Sequence, residues 1–301
     1  MVTRDRRSLL EQCLHAIGRQ SRRVETVLVV DNASGDGTAA WVRSTRPDVQ
    51  LLELSKNVGG AGGFHEGVKW AAVRDFEWLW LMDDDTQPDP DALQALLDGR
   101  ERSRSFGEVQ VLASKVVWGD GRLHPMNIPG VDVRRWSDLL EGAELEVLPL
   151  RSASFVSVLI RRDAVLRHGL PLREYFIWFD DIEFTSRILK DEVGAYVPAS
   201  VVRHVTRTAY ATVEGTGGRF YFSVRNRLFL MRSPALSALE KVRLLHALLR
   251  DIRRYVSGKG LSPAVAWLLL RATVRGLGTP AARLRPERVV SASGSDVHPT
   301  D

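Results

Sequence analysis

The chain has 301 residues, 44% hydrophobic and 26% charged, with a formal net charge of +5, which is ordinary for a globular α/β protein with or without an appendage. The single cysteine, Cys13, excludes an intramolecular disulfide and favours a reducing compartment. No apolar run reaches the roughly 18 residues that a membrane-spanning helix needs. We therefore expect a protein that is soluble or lies on a membrane surface.

Strands and helices alternate through the first hundred residues. Strand-like apolar runs occupy 24–30, 49–54 and 78–82. Helical patterns occupy 8–17, 39–46 and 90–102, and another helix follows the glycine-rich stretch 58–63 and runs to about residue 73. This alternation predicts right-handed βαβ crossovers and a mainly parallel sheet flanked by helices. The predicted fold class is therefore α/β, of a nucleotide-binding type.

The chain opens in what resembles the end of a strand, because residues 2–4 lead directly into the first helix. Either the natural polypeptide begins a few residues earlier, or the sheet has lost the beginning of its first strand.

The second half is less regular. Strands are predicted at 109–117, 155–160, 195–197 and 201–205, and an irregular insertion at 119–142. Helices are predicted at 161–168, where Gly169 is a C′ glycine, from the stretch 176–183 onward, and at 219–231. We predict one domain over 1–232, with a nucleotide-binding half of about 1–100 and an acceptor half of about 101–232. A basic helical region, 233–284, and a disordered tail, 285–301, follow it.

The basic region contains two helical segments separated at residues 257–260. Its apolar residues, with Trp267 and flanking arginines, suit an interfacial helix on anionic lipid. Packing on its own domain, or on a partner in a homo-oligomer, fits the pattern equally well. Nucleic-acid binding is not expected, because the basic residues are not interleaved with aromatic stacking platforms.

Three consecutive carboxylates, Asp83, Asp84 and Asp85, follow the strand at 78–82. Adjacent carboxylates repel one another, so their burial at a sheet edge is costly unless a cation offsets the repulsion. Carboxylate oxygens suit Mg²⁺ or Mn²⁺. A solvated acidic turn ahead of the next helix is the alternative.

Several separated motifs, taken in order, resemble the inverting glycosyltransferases of family 2, which have the GT-A fold. The resemblance covers about residues 1–232 and is carried by Thr3-Arg4, Val29-Val30-Asp31-Asn32, Asn57-Val58-Gly59-Gly60-Ala61-Gly62-Gly63, the three acids, Trp178-Phe179-Asp180-Asp181-Ile182-Glu183 and His204.

The resemblance implies a role for each matching residue. Asp83, Asp85 and His204 would bind a divalent cation, Mn²⁺ or Mg²⁺, and Asp181 would be the catalytic base. Trp178 and Asp180 would bind the acceptor. The residues that would bind the donor are Thr3, Arg4, Asp31, Asn57 and Asp84. Asn57 could instead cap the turn that follows it. Arg225 and Arg227 would pair with a diphosphate, or else form a solvated helix face.

Within the family, the glycine-rich segment and the element Arg225-Asn226-Arg227 are most similar to actinobacterial galactofuranosyltransferases of cell-wall galactan synthesis. That similarity implies a UDP-galactofuranose donor and a polyprenyl-diphosphate-linked rhamnosyl-GlcNAc acceptor. It also implies a cytoplasmic location, peripheral on the inner face of the plasma membrane. A rhamnosyltransferase using dTDP-rhamnose is the alternative within the class, and a catalytically inactive binding protein is the alternative outside it.

Overall fold

The computed structural model describes residues 1–206 and 214–289, so most of the tail predicted to be disordered lies outside the described residues. The strands are β1 (Val2–Thr3), β2 (Val27–Asp31), β3 (Val49–Glu53), β4 (Trp78–Leu81), β5 (Thr86–Pro88), β6 (Val109–Val117), β7 (Gly130–Val131), β8 (Leu148–Ser152), β9 (Val158–Arg161) and β10 (Val193–His204). The α-helices are α1 (Arg7–Gly18), α2 (Thr38–Thr45), α3 (Gly59–Ala72), α4 (Ala92–Arg102), α5 (Trp136–Glu144), α6 (Arg162–His168), α7 (Asp180–Ile188), α8 (Phe220–Arg232), α9 (Ala238–Lys259) and α10 (Pro263–Gly278).

The strands form a parallel unit and a mixed unit. Strands β1, β2 and β3 are parallel, and the mixed unit has the order β4-β9-β6-β10-β8-β7. A single parallel bridge between Val2 and Asp83 joins the two units. The predicted α/β class with flanking helices is confirmed. Parallel pairing holds for β1–β3 and for β6 with β10, whereas β9 is antiparallel to both β4 and β6.

The glycine-rich segment predicted to precede a helix is instead the first turn of that helix. Gly59 has a φ of 76°, and a Cβ there would lie 1.9 Å from the carbonyl oxygen of Phe176. A Cβ on Gly63 would lie 2.4 Å from Cγ1 of Val2. The glycines therefore allow α3 to pack directly against β1 and against the loop that contains Phe176.

The second half also differs from the prediction in its strands. The two short strands predicted around 195–205 are one strand, β10, with a register shift between Val197 and Val201. Strand β8 was not predicted, because Pro149 and Arg151 interrupt its apolar pattern. The side chain of Arg151 is nevertheless buried.

The last three helices share a core of their own. Its buried members are Phe220, Val224, Leu248, Tyr255, Val265 and Ala272. Helix α8 therefore packs with α9 and α10, although the predicted boundary at residues 232 and 233 separates it from them. In the part of the chain that the structure describes, no helix combines the length and the apolar character needed to cross a membrane.

Arg151 connects the sheet to this helical region. Its guanidinium group donates to both carboxylate oxygens of Glu240, at 2.8 and 3.1 Å, and to the carbonyl oxygens of Ser186 and Ala235. Burial by itself would raise the pKa of Glu240, but hydrogen bonds from Arg151 and Ser237 outweigh it and hold that pKa below its usual value. The ionised carboxylate is therefore favoured in the folded state.

Glu240→Gln is expected to lower the free energy of unfolding by about 1–2 kcal/mol at pH 7. The stabilisation by the carboxylate is fully present above its unfolded-state pKa and is lost as the pH falls through the lower folded-state pKa. The difference from wild type should therefore shrink below about pH 4. Urea denaturation at pH 7 and below about pH 4 measures this difference in the free energy of unfolding, with Glu11→Gln, at an exposed position, as control. A difference that does not change with pH would contradict the assignment.

Candidate active site

Strand pairing brings His204 to the acids that follow β4. Strand β5 runs antiparallel to the end of β10, with Thr86 opposite His204. The backbone N–H of Val205 donates to the carbonyl oxygen of Asp85 at 2.8 Å. These contacts hold an imidazole from the end of one strand beside carboxylates from the end of another.

The three predicted metal ligands converge. One ligand atom from each of Asp83, Asp85 and His204 lies within 4.8 Å of the others. Oδ1 of Asp85 is 3.1 Å from Nε2 of His204, yet this buried oxygen has no well-directed hydrogen bond from any described residue. A buried carboxylate oxygen without a donor suits a cation, and two carboxylates with one imidazole form a suitable set for Mn²⁺ or Mg²⁺.

His204 is oriented by residues from the insertion that was predicted to be irregular. Its Nδ1 lies 2.9 Å from Oδ1 of Asn127, an atom that can only accept, so Nδ1 carries the hydrogen. Nδ2 of Asn127 donates to Ser154, and the ring of His124 lies 4.8 Å from that of His204. In the neutral imidazole, Nε2 is therefore left with its lone pair toward the acids. No sequence pattern marked Asn127 or His124.

Asp83 and Asp84 lie in an environment that disfavours their negative charge. Burial by itself would also raise the pKa of Asp85, but its contact with His204 and the charge of Arg6 lower that pKa overall. Burial, and then the charge of Asp85, raise the pKa of Asp83 to about 7. Burial likewise raises the pKa of Asp84 to about 6. Burial opposes protonation of His204, but its contact with Asp85 and the charge of Asp83 raise its pKa overall. A cation at this place would relieve the repulsion.

Asp84 is held by the start of the chain. Its Oδ2 accepts from the Thr3 hydroxyl at 2.7 Å, and its Oδ1 lies 3.3 Å from Nη1 of Arg6. Nη1 of Arg6 also donates to Oδ2 of Asp85 at 2.9 Å. The predicted Arg4 instead lies at the surface, paired with Asp5. Arg6 was missed because three arginines lie within four residues here, and nothing in their order distinguishes them.

Asp31 and Asn57 lie beyond the ends of neighbouring parallel strands. Asp31 is the buried last residue of β2, and its Oδ1 accepts from the backbone N–H of Ser34. Oδ1 of Asn57 accepts from the backbone N–H of Gly59 at 2.9 Å and from the side chain of Asn32. The predicted cap by Asn57 is therefore present at the first turn of α3.

The second acid pair begins helix α7. Oδ1 of Asp181 accepts from the N–H of Ile182 at 2.8 Å. Burial raises the pKa of Asp181 to about 6, although hydrogen bonds from the backbone of Ile182 and Phe155 oppose the increase. Burial and the charge of Asp181 raise the pKa of Asp180 well above its usual range. Burial therefore disfavours the negative charge more strongly on Asp180 than on Asp181.

The two acid clusters share one electrostatic environment. The charge of Asp181 raises the pKa of Asp83, and the charge of Asp83 raises the pKa of Asp180. Arg187 does not neutralise Asp181, since it pairs with Glu183 at 3.1 Å, four residues earlier on the same helix. The carboxyl group of Asp181 therefore lies in the electrostatic environment of Asp83, one of the three residues that could hold a cation.

A strained loop leads into Asp180. Phe176, Trp178 and Phe179 have φ values of 64°, 67° and 70°, which non-glycine residues rarely adopt. Nδ2 of Asn226 lies within hydrogen-bond distance of the carbonyl oxygens of Tyr175, Ile177 and Trp178, at 2.9, 2.6 and 3.0 Å. Trp178 is half-buried and belongs to none of the core clusters of the described residues, so its ring is not a core aromatic.

The arginines on either side of Asn226 have internal partners. Arg225 donates to the carbonyl oxygens of Glu174 and Tyr175, and Arg227 pairs with Asp251 at 2.7 Å. These internal partners of Arg225 and Arg227 fit neither the predicted contact with a diphosphate nor the alternative of a solvated helix face. Both hold α8 against its neighbours.

Comparison with known proteins gives consistent matches. Residues 1–130 match the family model described as Glycosyl transferase family 2. Galactofuranosyltransferase GlfT1 of Mycolicibacterium smegmatis is 27% identical over 255 residues, which cover 79% of this chain and 84% of that protein. The N-acetylglucosaminyl-diphospho-decaprenol L-rhamnosyltransferase of Mycobacterium tuberculosis is 25% identical over 231 residues, covering 65% and 71%.

A solved structure matches the fold over most of the chain. S. aureus TarS 1–349 in complex with UDP superposes with a TM-score of 0.59 at 15% identity, covering 94% of this chain and 80% of that one. At this identity the likeness concerns the fold alone, which is that of GT-A glycosyltransferases.

Proposed function

Residues 1–130 of this glycosyltransferase are a family 2 domain, and on that premise we propose that the chain is an inverting, metal-dependent galactofuranosyltransferase. It would transfer galactofuranose from UDP-galactofuranose to a lipid-linked rhamnosyl-GlcNAc acceptor. The observation that carries the proposal is the convergence of Asp83, Asp85 and His204, together with the effect of the charge of Asp181 on the pKa of Asp83. Similarity to GlfT1 of Mycolicibacterium smegmatis supports the choice of sugar.

Asp83, Asp85 and His204 would hold Mn²⁺ or Mg²⁺. A cation bound there would take up the negative charge that develops on the departing nucleoside diphosphate. Thr3 and Arg6 hold Asp84 and orient the acidic turn. Asp31, beyond the end of a parallel strand, lies where acids bind the sugar of a nucleotide in such sheets. Asn57 and Arg4 complete the proposed donor side.

Asp181 would remove the proton from the attacking acceptor hydroxyl. A single displacement inverts the anomeric carbon and needs one base, and a carboxylate with a pKa of about 6 is ionised at neutral pH. The raised pKa of Asp180 favours its protonated form, which would donate a hydrogen bond to the acceptor. The ring of Trp178 would stack on a sugar face of the acceptor. Together these residues position the hydroxyl and take its proton in one step.

The helical region would bind the membrane that carries a lipid-linked acceptor. Apolar side chains on α9 and α10 are exposed, including Leu249, Trp267 and Leu270. Arginines such as Arg253 and Arg271 lie on the same helices. This combination supports a peripheral position on the anionic cytoplasmic face of the plasma membrane. Vesicles of anionic lipid should retain the protein at low salt, and zwitterionic vesicles should not; a homo-oligomer without vesicle binding would replace this assignment.

The direct test uses UDP-galactofuranose and a synthetic rhamnosyl-GlcNAc lipid, with and without Mn²⁺. We expect the acceptor mass to increase by hexose units only when the metal is present. Product formation that is unaffected by EDTA would contradict the role of the metal. No product with this donor, but product with another sugar nucleotide, would contradict the assigned sugar.

A rhamnosyltransferase that uses dTDP-rhamnose is the second candidate, since the Mycobacterium tuberculosis rhamnosyltransferase is 25% identical to this chain. Thermal unfolding with Mn²⁺ and either UDP or dTDP distinguishes the two candidates. A ligand that binds only the folded state raises the melting temperature, and at equal concentration the ligand that binds more tightly raises it further. A larger shift with dTDP would favour the rhamnosyl donor.

Asn127→Ala is expected to weaken Mn²⁺ binding roughly 10- to 100-fold, because His204 loses the acceptor that orients its ring. Calorimetric titration of Mn²⁺ into the protein measures the dissociation constant. Met126→Ala, at an exposed neighbouring position, should leave it unchanged. Equal affinities in the two variants would show that Asn127 does not orient a metal ligand.

A further inference from the structure

Helix α10 packs closely against α8 because its contact face carries small residues. Ala272 and Gly276, one helical turn apart, are buried on this face. A Cβ on Gly276 would lie 2.5 Å from Cδ1 of Leu228 on α8, so a side chain there would push the two helices apart. The close approach brings together the side chains that border the contact on both helices.

Three arginines meet at the border of this contact. Cζ of Arg271 lies 5.2 Å from the ring centroid of Tyr221, and Cζ of Arg225 lies 5.5 Å from the same centroid. Arg275 follows Arg271 by one turn of α10 and therefore lies on the same face. Burial lowers the pKa of Arg225, and the positive charge of Arg275 acts in the same direction. The three guanidinium groups, which we call the arginine cluster, are thus close enough to repel one another.

No acid offsets this positive charge among the side chains that the structure describes. Helices α8 and α10 contain neither Asp nor Glu. The two acids of α9 are engaged elsewhere, since Glu240 pairs with Arg151 and Asp251 pairs with two arginines outside the cluster. Arg271 and Arg275 are exposed. Exposed guanidinium groups that repel one another and have no internal counter-ion suit a bound anion, above all a phosphate ester.

The arginines lie next to an exposed apolar row on α10. At 3.6 residues per turn, Arg271 and Arg275 lie between the face buried against α8 and the face that carries Trp267, Leu270 and Val274. These three apolar side chains are exposed. A ligand that fits both features has an anionic head joined to an apolar chain, as in the diphosphate ester of a long-chain alcohol. A small inorganic anion would leave the apolar row uncovered.

Aromatic rings connect the cluster to the loop that precedes α7. The rings of Tyr221 and Phe222 meet edge-on with centroids 5.2 Å apart, and Phe222 stacks on Phe176 of the loop, also at 5.2 Å. Arg225 donates to two carbonyl oxygens at the start of this loop. The cluster therefore lies beside the loop assigned to the acceptor, whereas the donor residues follow the strands of the nucleotide-binding half.

We propose that Arg271 and Arg275 bind the diphosphate group of the lipid-linked acceptor. Arg225 is held by the loop carbonyls and contributes its charge, and the apolar row of α10 would contact the first part of the lipid chain. The assignment rests on the proposed function and adds to it the group that holds the acceptor by its diphosphate. The sugars of the acceptor would then extend from the cluster, past the loop, toward Asp181.

The first test measures the binding of farnesyl diphosphate to the full chain by calorimetry, with EDTA present so that no metal recruits the diphosphate to the acids. Arg271→Gln/Arg275→Gln should weaken this binding roughly 10- to 100-fold, because charge-assisted hydrogen bonds are lost. Arg253→Gln/Arg254→Gln removes the same charge from exposed positions on α9 and should change the affinity by less than about twofold. Equal losses in the two double variants, or no binding by the wild type, would overturn the proposal.

Kinetics separate this site from the proposed function. The wild type should prefer a diphosphate-linked rhamnosyl-GlcNAc lipid over the neutral octyl glycoside of the same disaccharide, as a ratio of kcat/KM. This preference should fall roughly 10- to 100-fold in Arg271→Gln/Arg275→Gln and remain in the α9 control. An unchanged preference would overturn the site and leave the proposed function intact. If the wild type transfers no galactofuranose, the proposed function fails, and farnesyl diphosphate binding still decides the site.

Vesicles distinguish the acceptor diphosphate from phospholipid head groups. Binding to anionic vesicles should fall equally in the two double variants, because each removes two surface charges. A greater loss for Arg271→Gln/Arg275→Gln, with unchanged affinity for farnesyl diphosphate, would assign the cluster to head groups and overturn the proposal. Both variants should melt within about 2 °C of wild type. If the Gln variant unfolds, Arg271→Lys/Arg275→Lys keeps the charge and loses the bidentate pairing, so unchanged affinity in that variant would also overturn the proposal.

Discussion

Asp181→Asn is expected to lower the turnover number roughly 10²- to 10⁴-fold, the range that general-base catalysis contributes. The amide has the size of the carboxylate but cannot accept the proton of an attacking hydroxyl. Its carbonyl oxygen can still accept from the N–H of Ile182, so the start of α7 should remain intact. The dissociation constant for UDP with Mn²⁺ should therefore stay within about twofold of wild type, since 0.4 kcal/mol corresponds to about that factor.

Asp163→Asn is the matched control, because Asp163 also lies in the first turn of a short helix but is exposed. Turnover should be measured at saturating donor and acceptor, and UDP binding by calorimetry. An Asp181→Asn enzyme with more than about a tenth of wild-type turnover would exclude Asp181 as the base. Loss of both turnover and UDP binding would instead indicate a structural or donor-binding role.

Asn226→Ala is expected to lower turnover by roughly 10²-fold, because the loop that precedes Asp181 would move and misplace the catalytic residues. Nδ2 of Asn226 lies against three carbonyl oxygens of the loop that carries Trp178 and leads into Asp181. Without these contacts, the positive φ values of Phe176, Trp178 and Phe179 lose a support and the loop can relax. The free energy of unfolding should also fall, by about 2–3 kcal/mol, because buried carbonyl groups lose their donor.

Val224→Ala separates positioning from stability. Val224 is buried on the same helix in the core of α8, α9 and α10, so its truncation should destabilise the protein without touching the loop. Turnover and stability should fall together for Asn226→Ala, whereas Val224→Ala should change stability alone. UDP binding should be retained in both variants. Equal turnover in the two variants would show that Asn226 does not position the catalytic loop.

Local patterns identified several elements in both halves of the predicted domain. The strand at 109–117 was predicted with the boundaries of β6, and Gly169 ends α6 as predicted. The three acids follow a strand, as the apolar residues before them predicted. These features succeed because apolar periodicity and turn residues act over a few neighbouring positions. Strand β8 was not predicted, partly because the charged Arg151 interrupts its apolar pattern although its side chain is buried. Local patterns therefore fail where a charged side chain is buried within a strand.

The residues that complete the site could not be found in this way. Arg6 contacts the acids, Asn127 contacts His204, and Asn226 contacts the loop before Asp180, in each case between segments far apart in the chain. Asn127 lies in an insertion with no regular pattern, and Arg6 is one of several nearby arginines. Their roles depend on which strand pairs with which, and strand pairing across long separations leaves no mark in local composition.

The amino-acid sequence by itself determined the alternation of strands and helices, the position of the acids at a strand end, and the residues that resemble a glycosyltransferase. Only the tertiary structure decided that His204 faces Asp85, and that Asp180 and Asp181 share the electrostatic environment of Asp83. The reason is physical. Element type follows from short-range periodicity, whereas the pKa of a carboxylate depends on burial and on charges brought near by the folded chain.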